Sequence, residues 1–210
     1  MDTPHPVFVE SANRYNQPGK IVTLGPYYPQ PRVGVAKGLI REAKAGYGTD
    51  VAALEQIQAG VGLTQIINAL GKERRWPQRL LFERLHPILG DEIAVAVVPA
   101  HTAYTVDAPI RELARRLAAA GNRVDATASL ERHTTIRRII FGGPSNRALH
   151  RQTVSVVTPE LIQGRSVLLL DDIAKSGASL IACRELLYEA GAVLVQAVAL
   201  GRVVIARPED

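Results

Sequence analysis

The stretch Ser166–Ser179, SVLLLDDIAKSGAS, decides how the rest of the chain is read. Val167, Leu168, Leu169 and Leu170 form an unbroken apolar run, followed at once by Asp171 and Asp172. So short a run, bounded by polar residues, predicts a strand buried on both faces. Two adjacent carboxylates at its C-terminal end then fall at the sheet edge where open α/β folds bind ligands. The small-residue loop Ala174-Lys175-Ser176-Gly177-Ala178-Ser179 comes next. Beyond it, Leu180, Ile181, Leu186, Leu187 and Ala190 recur at helical spacing.

Strand, acid pair, glycine-containing loop and helix together imply a chemistry. Small residues let backbone N–H groups approach a ligand closely, and the helix behind them adds the positive end of its dipole. Ser176 and Ser179 carry hydroxyls for phosphate oxygens, and Lys175 adds charge. Asp171 and Asp172 can accept hydrogen bonds from vicinal hydroxyls or hold a magnesium ion through water. A phosphate and a diol on one small ligand describe a ribose 5-phosphate. An apolar strand ending in Asp-Asp also occurs in P-loop NTPases and receiver domains. The first needs GxxxxGK[ST] upstream, which this chain lacks. A receiver puts its phosphate-accepting acid on a different, later strand.

VLLLDDIAKSGAS resembles the phosphoribosyl-pyrophosphate (PRPP) binding motif of the type I phosphoribosyltransferases. The match holds at Val167–Leu170, Asp171, Asp172, Ile173, Ser176, Gly177 and Ser179, and departs at Lys175 and, less so, at Ala174. The resemblance implies Mg²⁺ and a 5-phosphoribosyl group passing from PRPP to a nucleobase or other nitrogen acceptor, with release of pyrophosphate. It also implies that Ala174–Ser179 anchors the 5-phosphate, that Asp171 and Asp172 position the ribose and hold the metal through water, and that the protein is a homodimer.

The flanking sequence fits an α/β protein with a mostly parallel twisted sheet and flanking helices. Glu92–Val98 predicts a second buried strand, ending in Pro99-Ala100-His101-Thr102. By position in the resembling family, Ala100, His101 and Thr102 form the loop that meets pyrophosphate. Ala108–Ala120 is amphipathic, with Pro109 in its first turn and Gly121-Asn122 at its end. Val124–Ala128, Thr153–Val157 as an edge strand, and Val193–Ala199 continue the pattern, with Leu200–Ile205 extending the last strand or adding another.

Between two of these strands, Ser129–Arg151 is basic and glycine-containing. Its Leu130-Glu131-Arg132 start is similar to the ComF-like branch of the family. In type I enzymes a flexible loop here closes over PRPP and brings cations to the departing pyrophosphate, which makes Arg138, Arg147 and Arg151 the candidates. The alternatives are solvated loop charges or a nucleic-acid patch.

Residues 1–90 then form an N-terminal arm and a helical hood, and 91–210 the phosphoribosyltransferase-like core. In the arm, Ile21–Leu24 predicts one short strand, and Tyr27 or Tyr28 is a candidate for base stacking. Gly34–Gly46, Val51–Leu70 and Trp76–Leu89 predict the helices of the hood.

Composition narrows the class. The 210 residues are 47% hydrophobic and 21% charged, as in an ordinary globular protein with a sizeable core. One cysteine, Cys183, permits neither an internal disulfide nor a cysteine-based zinc site, and suits a reducing cytoplasm. No apolar run reaches the ~20 residues of a membrane helix, and the polar N-terminus does not read as a signal peptide. A net charge of +5 suits a phosphorylated substrate and equally suits nucleic acid. The non-catalytic reading is therefore a regulator, or a DNA-uptake or nucleic-acid-processing factor, on the same fold.

Overall fold

A computed structural model describes residues 4–28, 62–72, 75–106, 108–136 and 146–204. Its elements in chain order begin with β1 (Ile21–Thr23), β2 (Pro26–Tyr27), α1 (Leu63–Leu70) and α2 (Arg75–Leu85). Then come β3 (Ala94–Val97), α3 (Pro109–Ala119), β4 (Val124–Asp125) and β5 (Leu130–Arg132). The chain continues through α4 (Arg147–Thr153), β6 (Val154–Val156), β7 (Ser166–Ala174), α5 (Ala178–Glu189) and β8 (Leu194–Val203).

The main sheet runs β1-β8-β7-β3-β4 with every pairing parallel, and β2 also pairs with β8 in parallel. Successive side chains leave a strand on opposite faces, and the core divides accordingly. Val95, Val97, Leu168, Leu170, Val198 and Leu200 lie in one cluster with Ile110, Leu113, Ala114 and Leu117 of α3. Leu63, Ile66, Ile67 and Leu70 of α1 and Leu81 and Leu85 of α2 complete that layer. On the other face Ala94, Ala96, Val167, Leu169, Val195, Ala197 and Ala199 meet Leu180, Cys183 and Leu187 of α5. Burial on both faces is why β3 and the first half of β7 lack any polar alternation. The mostly parallel α/β class expected from the sequence is the one observed.

Two regions differ from expectation. Val154–Val156 does alternate, but it pairs antiparallel with Leu130–Arg132 in a separate two-stranded ribbon and not with the main sheet. The basic stretch before it contains α4, whose first turn is capped by Asn146 Oδ1 accepting from the Ala148 N–H at 2.8 Å. Asn-to-backbone capping is a short local signal that a charge-rich, glycine-containing stretch masks. At the other end of the chain, the predicted short strand forms as β1 and lies beside β8.

The preceding residues are also anchored. Val7, Phe8 and Ala12 are buried, and Asn16 both accepts from the Phe8 N–H and donates to its carbonyl, each at 2.9 Å. Fully buried Gln196 on β8 accepts from the Gln17 N–H at 2.6 Å and donates to the Lys20 carbonyl at 3.4 Å. Of the expected hood helices, Gly34–Gly46 and residues 51–61 of Val51–Leu70 lie outside the described residues, and α1 and α2 pack as the layer just described.

Arg123 closes the bottom of the sheet. Its side chain is 3% exposed and donates to the carbonyls of Gly90 at 2.7 Å, Leu117 at 2.8 Å and Leu89 at 2.9 Å. One guanidinium thus satisfies acceptors from the entry to β3 and the end of α3. Arg123→Met leaves these carbonyls without a donor, at about 1–3 kcal/mol for each one that water cannot reach. A fall in melting temperature of at least about 4 °C is expected in a thermal melt, at about 2–4 °C per kcal/mol for a chain of this size.

Candidate functional site

β3 and β7 are neighbours, but their continuations part. α3 follows β3 onto one face, and α5 follows β7 onto the other. Such a switch point opens a crevice beyond the strand ends. The strands also end at different heights: β3 pairs as far as Val97 with Leu170, and the Val98 N–H still reaches the Leu170 carbonyl at 2.9 Å. β7 continues along β8 alone, with Asp171 opposite Ala199, Ile173 opposite Gly201 and Ala174 opposite Arg202. The acid pair therefore lies within the strand, at the first positions where β3 no longer covers it.

A cavity of about 560 Å³ fills this step. Its lining includes Asp171, Asp172, Lys175, Ser176, Gly177, Ala178 and Ser179, together with Ala100, His101 and Thr102 from the loop after β3. Two segments some seventy residues apart in sequence, about 70 by position, thus meet in one space. Ala174 lies behind, in the wall of a second cavity.

Within the acid pair the residues differ. Asp171 is partly buried; its Oδ1 accepts from the Asp172 N–H at 2.9 Å and its Oδ2 from the Ser179 hydroxyl at 3.3 Å. Burial first, and then the charge of Asp172, hold the Asp171 carboxyl well above the usual carboxylate range. Asp172 is exposed.

The loop is built for backbone approach. Gly177 caps α5 with φ +76°, in the left-handed region that favours glycine, and a Cβ there would collide with the Ile21 side chain. Gly177 has no side chain to cap α5, and the Ser176 hydroxyl accepts from the Ala178 N–H at 3.3 Å. The helix thus presents its positive end at the loop.

The facing loop is braced by the ribbon. The Ile136 N–H donates to the His101 carbonyl at 2.9 Å, and the Ala103 N–H to Thr135 Oγ1 at 3.0 Å. Arg132 Nε donates to the Ala100 carbonyl at 2.7 Å. Arg132 and His150, which also line the cavity, are absent from the site expected from sequence. Each is 2% exposed. Arg132 Nη1 donates to Thr153 Oγ1 at 2.6 Å, and Nη2 lies 3.3 Å from His150 Nδ1. A guanidinium only donates, so Nδ1 accepts and the ring carries its proton on Nε2, a buried atom without a hydrogen-bond partner. Burial, then the charge of Arg132, lowers the His150 pKa and keeps the ring neutral. One signal for Arg132 was legible: in a strand it shares a face with Leu130, and Leu130 is buried.

The expected cationic residues fare differently. Arg138 lies outside the described residues. Arg147 Nε is 2.9 Å from Glu185, and Arg151 pairs with Glu185 at 3.3 Å and Glu189 at 2.8 Å, so α4 is tied to α5. Neither arginine lines the cavity. Tyr27 is buried, with its hydroxyl donating to Asn68 Oδ1 at 2.8 Å, which makes it a packing residue.

No protein-family profile and no curated protein sequence matches this chain. Among solved structures it is similar to phosphoribosylpyrophosphate synthetase from Mycobacterium smegmatis, at 19% identity and a TM-score of 0.34 over 62% of this chain. That likeness spans 34% of the synthetase. It is also similar to purine phosphoribosyltransferase from Pyrococcus horikoshii, at 13% identity and a TM-score of 0.29, over 70% of this chain and 93% of that one.

Two outcomes follow from the site's electrostatics. The raised Asp171 pKa means that folding favours the protonated form. Its stabilising contribution is full below the unfolded value of about 3.9 and is lost as pH rises through the folded value. Asp171→Asn should therefore melt higher than wild type at pH 7, with the gap closing toward pH 4 in a pH series of melts. Cys183 is fully buried, and burial, then the charge of Asp171, pushes its thiol up to about 12. In a thiol-reagent assay at pH 8 it should react only on unfolding.

Proposed function

We propose that this protein is a phosphoribosyltransferase-like protein that binds PRPP with Mg²⁺ and transfers the 5-phosphoribosyl group to a nitrogen acceptor. The observation that supports this reading is the meeting of the acid pair, the 175–179 loop and the 100–102 loop around one cavity of about 560 Å³. That space suits a small ligand carrying a phosphate, a diol and a second anionic group.

Each part has a task. The backbone of 175–179 and the α5 N-terminus hold the 5-phosphate away from the reacting carbon, so remote binding energy goes into orientation. Asp171 and Asp172 accept from the ribose hydroxyls, and their charge balances the positive charge that develops at C1. The acceptor nitrogen's lone pair forms the new C1–N bond as the C1–O bond breaks, and that bond's electrons leave with pyrophosphate. Ala100–Thr102 meets the pyrophosphate through backbone N–H groups.

The donor set fits magnesium, which takes one or two carboxylates and leaves its other positions to water and phosphate oxygens. Among the described residues no cluster of three or more His, Cys, Asp or Glu side chains forms a closed cage, so a metal held by Asp171 and Asp172 would share the ligand's oxygens. When bound, the ion neutralises charge on the leaving group.

A second reading, a binding protein that holds PRPP without turnover, draws on the ion pairs that keep Arg147 and Arg151 on α5. Calorimetric titration of PRPP with Mg²⁺ tests the shared premise. Magnesium-dependent binding is expected in wild type, with a loss of at least about tenfold in Asp171→Asn/Asp172→Asn. A folded wild type that binds no PRPP overturns both readings. Pyrophosphate release across a panel of bases separates the enzyme from the binding protein.

A further inference from the structure

Behind the 174–177 loop lies a second cavity of about 340 Å³, bounded by the 19–23 segment, the loop and α5. Four cationic side chains line it: Lys20, Lys175, Arg184 and Arg202. Thr23 and Ser176 contribute hydroxyls, and among the described residues no carboxylate lines it. Converging like charges repel one another, and a concave wall focuses their field, so an anion inside offsets a cost that the free protein carries.

The backbone that carries Lys20 and the side chain of Arg184 are anchored by the fold. Fully buried Gln196 pins the 17–20 turn from both ends, through the Gln17 N–H and the Lys20 carbonyl. The same turn directs Arg184, whose Nη1 donates to the Pro18 carbonyl at 2.9 Å. Arg202 is set by its register opposite Ala174. No salt bridge among the described residues engages Lys20, Lys175, Arg184 or Arg202. Arg184 is half-buried and Lys20, Lys175 and Arg202 are exposed, and cations that line one cavity without a counter-ion are what an anion site offers its ligand.

We propose that this cavity is a second anion site for a small phosphate-bearing ligand, distinct from the acid-pair cavity and sharing one wall with it. At about 340 Å³ the cavity has room for a compact polyphosphate, which its four cations can contact together. Lys175, Ser176 and Gly177 belong to both linings, and Ile21 packs where a Gly177 side chain would stand. An occupant that holds β1 against the loop therefore changes affinity on the other side, and linkage makes the effect reciprocal. The site does not depend on the PRPP reading.

The probe is inorganic pyrophosphate without magnesium, titrated calorimetrically into the full chain. Wild type is expected to bind it, Asp171→Asn/Asp172→Asn to retain that binding, and Arg184→Gln/Arg202→Gln to lose at least about tenfold. Lys20→Gln, an exposed change that leaves the turn's backbone bonds intact, should weaken it less, and thermal melts establish that each variant is folded. Binding unchanged in both cation variants overturns the proposal, as does loss confined to the acid-pair variant. Salt-sensitive binding of a single-stranded oligonucleotide at these cations, with none of pyrophosphate, also overturns it. PRPP–Mg²⁺ titration into Arg184→Gln/Arg202→Gln keeps the two ideas apart, since the first cavity's lining includes neither arginine.

Discussion

Two adjacent carboxylates at the rim of a dry parallel sheet repel each other, and much of the surrounding structure makes their position tolerable. Asp171 takes a backbone N–H and the Ser179 hydroxyl as donors. Arg132, buried across the cavity, is close enough for Asp171 to act on its charge. Asp172 stays in solvent, where its charge is cheapest.

That rim exists because neighbouring strands are unequal. β7 and β8 run side by side for most of their length, whereas β3 stops at Val97. The uncovered end of β7 then serves as one wall of two cavities. On one side it faces the loop after β3, and on the other the 17–21 segment held by Gln196. Among the described residues no helix is long and apolar enough to cross a membrane, and the core is accounted for by the two faces of this sheet.

Arg123 and Arg132 show two uses of a buried guanidinium. Arg123 is consumed by main-chain carbonyls and closes the end of the sheet away from the cavity. Arg132 spends donors on Ala100 and Thr153, and so couples the loop after β3 to the β5–β6 ribbon, while among the described residues its charge meets no carboxylate within salt-bridge distance. The first reads as architecture. The second leaves a cation in the wall of a cavity.

Local pattern carried the parallel α/β class, the buried strands β3 and β7, the amphipathic α3, and the loop whose Gly177 needs a left-handed backbone. Each is written in adjacent residues: an apolar run, a helical period, a glycine between serines. The Asp171–Ser179 half of the candidate site was legible for the same reason. Arg132 and His150 were not, because what makes them part of the site is burial against Ala100 and Thr153, which are distant in sequence. The ion pairs of Arg147 and Arg151 with α5, and the joining of β1 to β8, likewise depend on contacts across the fold. Pattern reports what a residue can do; which partner it meets is set by long-range packing, where a charge in a basic stretch can as easily tie two helices together as face a ligand.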